Sequence, residues 1–348
     1  MERTIQTDRK PGIGRGSTLW RGLATVLATV LVTGYAGALT GCSTGSSGNA
    51  NVTKTYQIGV LQPVEHPSLD TIYKGFQEGL KEQGYADKVK LDFQNAQGDQ
   101  NNMNTIAQRF VADKKDLVLA IATPAAQAIA AQTKDIPVVG AAITSFTAAK
   151  LVESNERPGG NVTGVSDMAP VDAQVALIID LAPQAKTVGF LYNSGEANSV
   201  EQVGLIRKAV EAKGLKTTEL TVTSSNDVQQ VAQALVKKCD VIYSPTDNTV
   251  ASAMPTVAQV ANAAKIPVIV GADSMVTDGG LATAGVNYTE LGKKAAAMAV
   301  DILKGAKPAD MPIKVMTNEY QVVINKKVAT LLGITIPDKY KDAQLVGE

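Results

Sequence analysis

From residue 56 onward, two hydrophobic patterns alternate along the chain. Short stretches are apolar almost throughout: Tyr56–Leu61, Leu117–Ala122 and Ile136–Ala141. Between them apolar residues recur at helical spacing, as at Ile106, Phe110 and Val111 within 101–113. Continuous apolar runs mark strands buried on both faces, and the longer period marks amphipathic helices. The predicted order is strand 56–61, a helix from Ser68 to about Gln83, strand 89–94, helix 101–113, strand 117–122, helix 124–133 and strand 136–141. Strands that alternate with helices in this way predict α/β architecture with parallel sheets.

The pattern then starts again. Lys186-Thr-Val-Gly-Phe-Leu-Tyr echoes the segment that opens at Lys54, Asp240-Val-Ile-Tyr-Ser-Pro-Thr echoes the one at Asp116, and Lys265-Ile-Pro-Val-Ile-Val-Gly-Ala echoes Asp135-Ile-Pro-Val-Val-Gly-Ala. A repeat on the order of a hundred residues or more is far longer than a solenoid period. It indicates a duplicated open α/β domain, joined near the Pro/Gly-rich segment Arg157–Gly164. Open α/β sheets take ligands beyond the carboxyl ends of their strands. Two such lobes therefore face each other across a cleft that a ligand can close. The strand-end loops are Gln62–Ser68, 123–125 and Ile143–Phe146 in the first half. In the second half they are Asn193–Ser199, Pro245–Asn248 and Ala272–Ser274. They are rich in hydroxyls, amides and carboxylates, and several open directly into helices. Helix N-termini and hydroxyls suit a carboxylate and an Asp suits an ammonium, so the cleft fits a small zwitterion.

Residues 1–21 carry five basic side chains and two acidic ones, and 22–53 carry no charge. An apolar run, Leu23–Leu39, ends in Leu39-Thr40-Gly41-Cys42, and a Ser/Gly/Asn-rich tract follows. A basic segment before a short apolar one reads as an export signal. Its ending looks like a bacterial lipobox, in which Cys42 receives the lipid and becomes the new N-terminus. An uncleaved membrane helix is the alternative, but the Gly, Thr and Ala content suits it poorly. The expected layout is a signal peptide at 1–41 and a flexible tether at 42–55. The protein would then be extracytoplasmic, membrane-anchored through lipid at Cys42.

Composition narrows the chemistry further. With 33 Lys+Arg against 33 Asp+Glu, no basic excess points to nucleic acid. Two cysteines and one histidine exclude a disulfide scaffold and a zinc site built from Cys and His. No cofactor or metal is expected. Cys239, at the mouth of an apparent strand, reads as a small buried hydrophobe. No nucleophile–base set surrounds His66, and Gly159-Gly160 lacks the setting of a phosphate loop, so the expectation is no enzyme.

The loops also carry a resemblance. His-Pro-Ser-Leu-Asp after the first strand, Asn-Ala-Gln-Gly-Asp at 95–99, Ala-Thr-Pro-Ala-Ala-Gln at 122–127, Gly-Glu-Ala-Asn-Ser at 195–199 and Pro-Thr-Asp-Asn at 245–248 resemble ABC-transporter substrate-binding proteins, in particular the tryptophan/aromatic-amino-acid-binding group. The likeness runs over about 56–340. It implies two Rossmann-like lobes of the type I periplasmic-binding-protein kind with three crossings between them. Lobe 1 would comprise 56–162 and 284–315, and lobe 2 would comprise 163–283 and 316–348. The implied ligand is a free amino acid, aromatic by this likeness, passed to a membrane permease with a cytoplasmic ATPase. An exported sensor domain is the alternative, and an enzyme on the same scaffold a more distant one. At Thr144-Ser145-Phe146-Thr147 the chain departs from the family's Thr-Asp-Pro-like turn, which frees Phe146 to line the cleft.

The expected ligand contacts are Gln62, His66, Thr123, Pro124 and Thr144 in the first lobe, and Ser166, Ser194, Asn198, Ser199, Asp247, Asn248 and Asp273 in the second. His66 is either a solvent-facing loop residue or a cleft residue, and the resemblance favours the cleft. Asn198 with Glu201 three residues later also reads as a helix start. Asp247 or Asp273 is expected to take the ammonium, though either can simply cap a turn. Phe146, Tyr192 and Tyr243 are candidate ring-stacking walls or core residues at strand ends.

Overall fold

In the computed structural model, residues 54–316 and 320–347 are described. The expected signal peptide, the expected lipidation site Cys42 and nearly all of the expected tether lie outside them.

The first sheet contains β1 (Tyr56–Gln62), β2 (Val89–Asn95), β3 (Leu117–Ile121), β4 (Val138–Ala141) and β5 (Val162–Ser166). Its helices are α1 (Pro67–Glu82), α2 (Gln100–Ala112) and α3 (Thr123–Gln132). The second half repeats the scheme. It opens with α4 (Val171–Leu181), β6 (Thr187–Asn193), α5 (Ala197–Ala212), β7 (Lys216–Val222) and α6 (Val228–Leu235). It continues through β8 (Val241–Ser244), α7 (Asn248–Ser252), α8 (Met254–Ala263), β9 (Val268–Val270), α9 (Asp273–Thr277) and β10 (Ala282–Val286). The chain then returns to the first lobe as α10 (Tyr288–Leu303) and β11 (Lys314–Val315), and ends in the second as β12 (Tyr320–Asn325), α11 (Lys326–Leu332) and β13 (Gln344–Val346).

The sheet orders are β11-β5-β4-β3-β1-β2 and β13-β12-β10-β9-β8-β6-β7. The five strands β5-β4-β3-β1-β2 and β10-β9-β8-β6-β7 occupy equivalent places, which is the internal repeat in three dimensions. All pairings are parallel except β12 against β10.

The segment Arg157–Gly164, expected as the joint, is partly a strand. Val162–Ser166 pairs with β4 in full register and is buried throughout. Gly164 holds φ +155, and a Cβ there would lie 2.0 Å from the Gly140 carbonyl oxygen, so the two backbones touch. The first crossing thus follows Ser166 and the second follows Val286, a few residues beyond the expected boundaries at 162 and 283. Strand pairing carries each sheet further than the Pro/Gly content suggests.

Local chemistry explains the helix starts around the cleft. α1 begins with Pro at its first position, where a missing N–H costs nothing. Asp247 caps α7 by accepting from Val250 N, and Asn287 caps α10 by accepting from Glu290 N. α10 lies against α1 with glycines at the contact. A Cβ on Gly75 would stand 2.4 Å from the Thr289 carbonyl oxygen, and one on Gly292 would stand 2.3 Å from that of Ile72. Ile58, Val60, Ile72, Phe76, Leu119 and Leu291 are fully buried beneath them. Each such side chain contributes roughly 1.5–3 kcal/mol.

Candidate functional site

The carboxyl ends of the two sheets face each other around a small inner cavity. Most of its lining residues stand at helix starts. His66, Ala122, Asp247 and Ala272 are the capping residues of α1, α3, α7 and α9, while Asn198 and Tyr288 lie in the first turns of α5 and α10. The positive ends of these helices converge on one small space. Leu69, Ala142, Ala251 and Met275 supply apolar wall.

Ala122 and Ala142 hold φ +69 and +58, a left-handed region that non-glycine residues avoid at a cost of roughly 1–3 kcal/mol. Both lie just beyond strand ends, where the turn brings backbone up to the cavity.

The charge of the lining is acidic. Asp167, on the first crossing, is 3 % exposed, and no lysine or arginine lines the cavity. Thr144 Oγ1 donates to its Oδ1 at 3.0 Å and Tyr288 OH to its Oδ2 at 3.4 Å. Burial pushes its carboxyl up to about 6, against the pull of these two hydroxyls. Asp247 is fully buried and already engaged, accepting from Asn193 N at 2.7 Å, Ser199 Oγ at 2.6 Å and Val250 N at 2.8 Å. Burial, and then the nearby Glu196 carboxylate, push Asp247 up to about 7. Burial holds His66 down at about 4, so its ring is neutral near pH 7.

The lobes touch directly. His66 Nε2 lies 3.3 Å from Asn248 Oδ1, Ser68 Oγ 2.5 Å from Ser274 Oγ, and Thr144 Oγ1 3.2 Å from Thr246 Oγ1. Gln202 Nε2 reaches across to Thr144 Oγ1 at 3.1 Å. The cleft is closed.

Residues 57–344 match the family model for ABC transporter substrate binding proteins. The chain belongs to this family of ABC-transporter substrate-binding proteins. Proteins of this family are extracytoplasmic. A tyrosine-binding protein of Clostridioides difficile is 42% identical over 283 residues, covering 81% of this chain and 82% of the relative. A Streptococcus pneumoniae ABC domain in complex with L-Trp is 47% identical, covering 84% of this chain and 100% of that one, with a TM-score of 0.82. The ligand-free, open structure of a substrate-binding protein with adhesive properties from Clostridium difficile has 42% identity and the same coverage of this chain, 99% of its own, and a TM-score of 0.64. The two identities are close, so sequence divergence does not account for the gap in TM-score. The contacts between the lobes give the physical reason: this substrate-binding protein is in a closed arrangement. More distant sugar- and leucine-binding structures, at 14–19% identity, share the fold.

Of the residues singled out from sequence, His66, Asn198, Asp247 and Asn248 line the inner cavity. Pro124 and Ser194 line a separate outer cavity of about 380 Å³, which shares Asn248 with the inner one. Thr144, Ser166 and Ser199 are buried behind the lining. Thr144 holds Asp167, Ser166 Oγ donates to the Thr144 carbonyl at 2.8 Å, and Ser199 holds Asp247. Gln62 is buried with its amide nitrogen turned to Val64 O and Asp70 Oδ1. Thr123 is buried at the start of α3, its hydroxyl without a partner. Asp273 faces neither cavity. It lines a neighbouring cleft with Thr71 and Asp278, which shares Ser68 and Tyr288 with the inner cavity.

Phe146, Tyr192 and Tyr243 are core residues. Phe146 packs under Gly140, the Tyr192 hydroxyl donates to Glu219, and the fully buried Tyr243 donates to Gln174. The aromatic ring at the cavity is Tyr288. Sequence reasoning missed Tyr288 and Asp167, though Asp167 directly follows the end of a buried strand and Tyr288 lies two residues past one.

Proposed function

We propose that this chain is the ligand-capturing component of an ABC importer. It takes a free amino acid with an aromatic side chain into the inner cavity and delivers it to a permease driven by a cytoplasmic ATPase. Lipid on Cys42, in the motif Leu39-Thr40-Gly41-Cys42, anchors it at the membrane. Asp167 carries the reading: a buried carboxylate that meets two hydroxyls and its own backbone N–H but no cation, at one side of a cavity ringed by helix N-termini. An ammonium supplies the missing counter-charge, and the helix starts with Ser68 favour the carboxylate. Leu69, Met275 and the alanines leave an apolar remainder for the side chain. The tyrosine-binding relative and the L-Trp complex support this ligand class. The ligand acts by stabilising the closed arrangement, since its contacts come from both lobes. The site binds without converting: His66 faces an amide, with no nucleophile beside it.

Calorimetry against amino acids, sugars and peptides tests the ligand. Binding confined to sugars, or a product formed from the bound ligand, rejects the proposal. Loss of labelled amino-acid uptake on deleting the gene is the expected result for delivery. Cys42→Ala should move the protein out of the membrane fraction.

A further inference from the structure

Two residues that line the inner cavity each hold a buried hydrogen-bonding atom without a partner: His66 Nδ1 and Asn198 Oδ1, one from each lobe. Their chemical sense is settled by neighbours. The Glu196 side chain receives Asn248 N, Asn248 Nδ2, Thr249 N, Thr249 Oγ1 and Asn198 Nδ2. The hydroxyl of Thr249 is itself taken by Asn193 Nδ2, so it donates to Glu196. Five donors and no acceptor require a carboxylate. Facing that carboxylate, the Asn248 amide must present its nitrogen to Glu196 and its oxygen to His66. His66 Nε2, 3.3 Å from that oxygen, must then carry the ring proton, which leaves Nδ1 a bare acceptor. Asn198 is oriented the same way: its nitrogen faces Glu196 and, at 2.9 Å, the Thr246 carbonyl, so its oxygen is bare.

We propose that Glu196 is a positioning residue that sets the hydrogen-bonding sense of the ligand site, so that closure presents His66 Nδ1 and Asn198 Oδ1 as acceptors and selects a ligand that brings N–H or O–H donors to both. This deepens, and rests on, the amino-acid reading above. The His66–Asn248 bond spans the lobes, so the tautomer is fixed only on closure. A ligand donor is therefore rewarded in the closed form and not in the open one. A ligand that offered acceptors there would leave buried groups opposed, a cost that discriminates strongly.

His66 is the chain's one histidine, so nitrogen NMR of the imidazole reads a single residue. With L-tryptophan as probe, the bound wild-type protein should show a protonated Nε2 and an unprotonated Nδ1 shifted by an incoming donor. Glu196→Gln, which lets the Asn248 amide turn, and Asn248→Ala, which cuts the relay while keeping the Glu196 carboxylate and its backbone donor at 248, should both lose the single tautomer. Each should weaken L-tryptophan tenfold or more while still melting cooperatively. A bound wild-type ring protonated on Nδ1, or both variants keeping the Nε2–H tautomer and full affinity, overturns the proposal. Absence of L-tryptophan, L-tyrosine and L-phenylalanine binding to wild type instead refutes the amino-acid reading, and the inference falls with it.

Discussion

Asp167 and Tyr288 meet at the hinge: each lies just past a strand end on a different crossing between the lobes, and the phenol donates to the carboxylate at 3.4 Å. A cation received by Asp167 is therefore held at the pivot of the molecule. Asp167→Asn should weaken amino-acid binding by roughly tenfold to a hundredfold, the cost of losing a charge-assisted hydrogen bond. Asp273→Asn, in its neighbouring cleft, should leave affinity within about twofold. The two effects of Asp167→Asn should run in opposite directions. Removing a buried, cation-free carboxylate raises the melting temperature of the ligand-free protein at pH 7.5. That gain should fade by pH 5, because a carboxyl pushed up to about 6 takes up its proton in the folded state as the pH falls. Calorimetry and thermal melts at both pH values check this pair.

His66 gives ligand affinity an acid limb. In the closed form burial holds its ring down at about 4 despite the Asn248 oxygen and the Asp70 carboxylate, whereas a solvated histidine titrates near 6.5. Closure must then expel a proton wherever the pH lies below the higher value. Affinity should be level above pH 7 and fall as the pH drops below about 6.5, by at most about tenfold per unit. His66→Gln should flatten the profile between pH 6.5 and 5.5, leaving the contribution of Asp167.

Glycine at the α1–α10 contact is needed for stability and not for ligand contact. Gly292→Ala would set a methyl 2.3 Å from a carbonyl oxygen and should cost about 1–3 kcal/mol in denaturant unfolding. Gly204 in α5 is the control: nothing lies within 4 Å of its Cβ position, so Gly204→Ala should stabilise by about 0.5–1 kcal/mol.

Cys239 should resist thiol reagents in the native protein. Its Sγ–H donates to Leu235 O at 3.3 Å, and burial, with Asp240 adding to it, pushes the thiol up to about 12. Reaction should appear only in denaturant, followed by absorbance with an aromatic disulfide.

The strand–helix alternation was legible because parallel strands must be apolar on both faces, a pattern that survives without any knowledge of tertiary context. The repeat at Asp116/Asp240 led directly to the equivalent sheet orders. Asp167 was not legible for a reason of the same kind. It lies in Ser166-Asp-Met-Ala-Pro, between elements, where no periodicity tells which way a side chain turns. From sequence, Asp273 looks the same: an acid after an apolar run. What separates them is that β5 ends at the pivot, while Asp273 opens a short helix and its carboxylate is taken by Ser274 N. Phe146, Tyr192 and Tyr243 sit at strand ends, where one residue of register decides between cavity and core. Gly140 made room for the Phe146 ring, and that space is invisible in sequence.

The three crossings also bear on how the molecule is assembled. The first sheet takes its edge strand from Lys314–Val315 and a covering helix from Tyr288–Leu303, while the second takes β12 and β13 from the chain's end. Neither lobe is an uninterrupted stretch of polypeptide. A nascent chain that has emerged only to Val286 holds ten of the thirteen strands and no finished lobe. Domains usually fold in order as they are synthesised, but here both must wait for the final fifth of the chain. That delay makes completion of one lobe coincide with completion of the other.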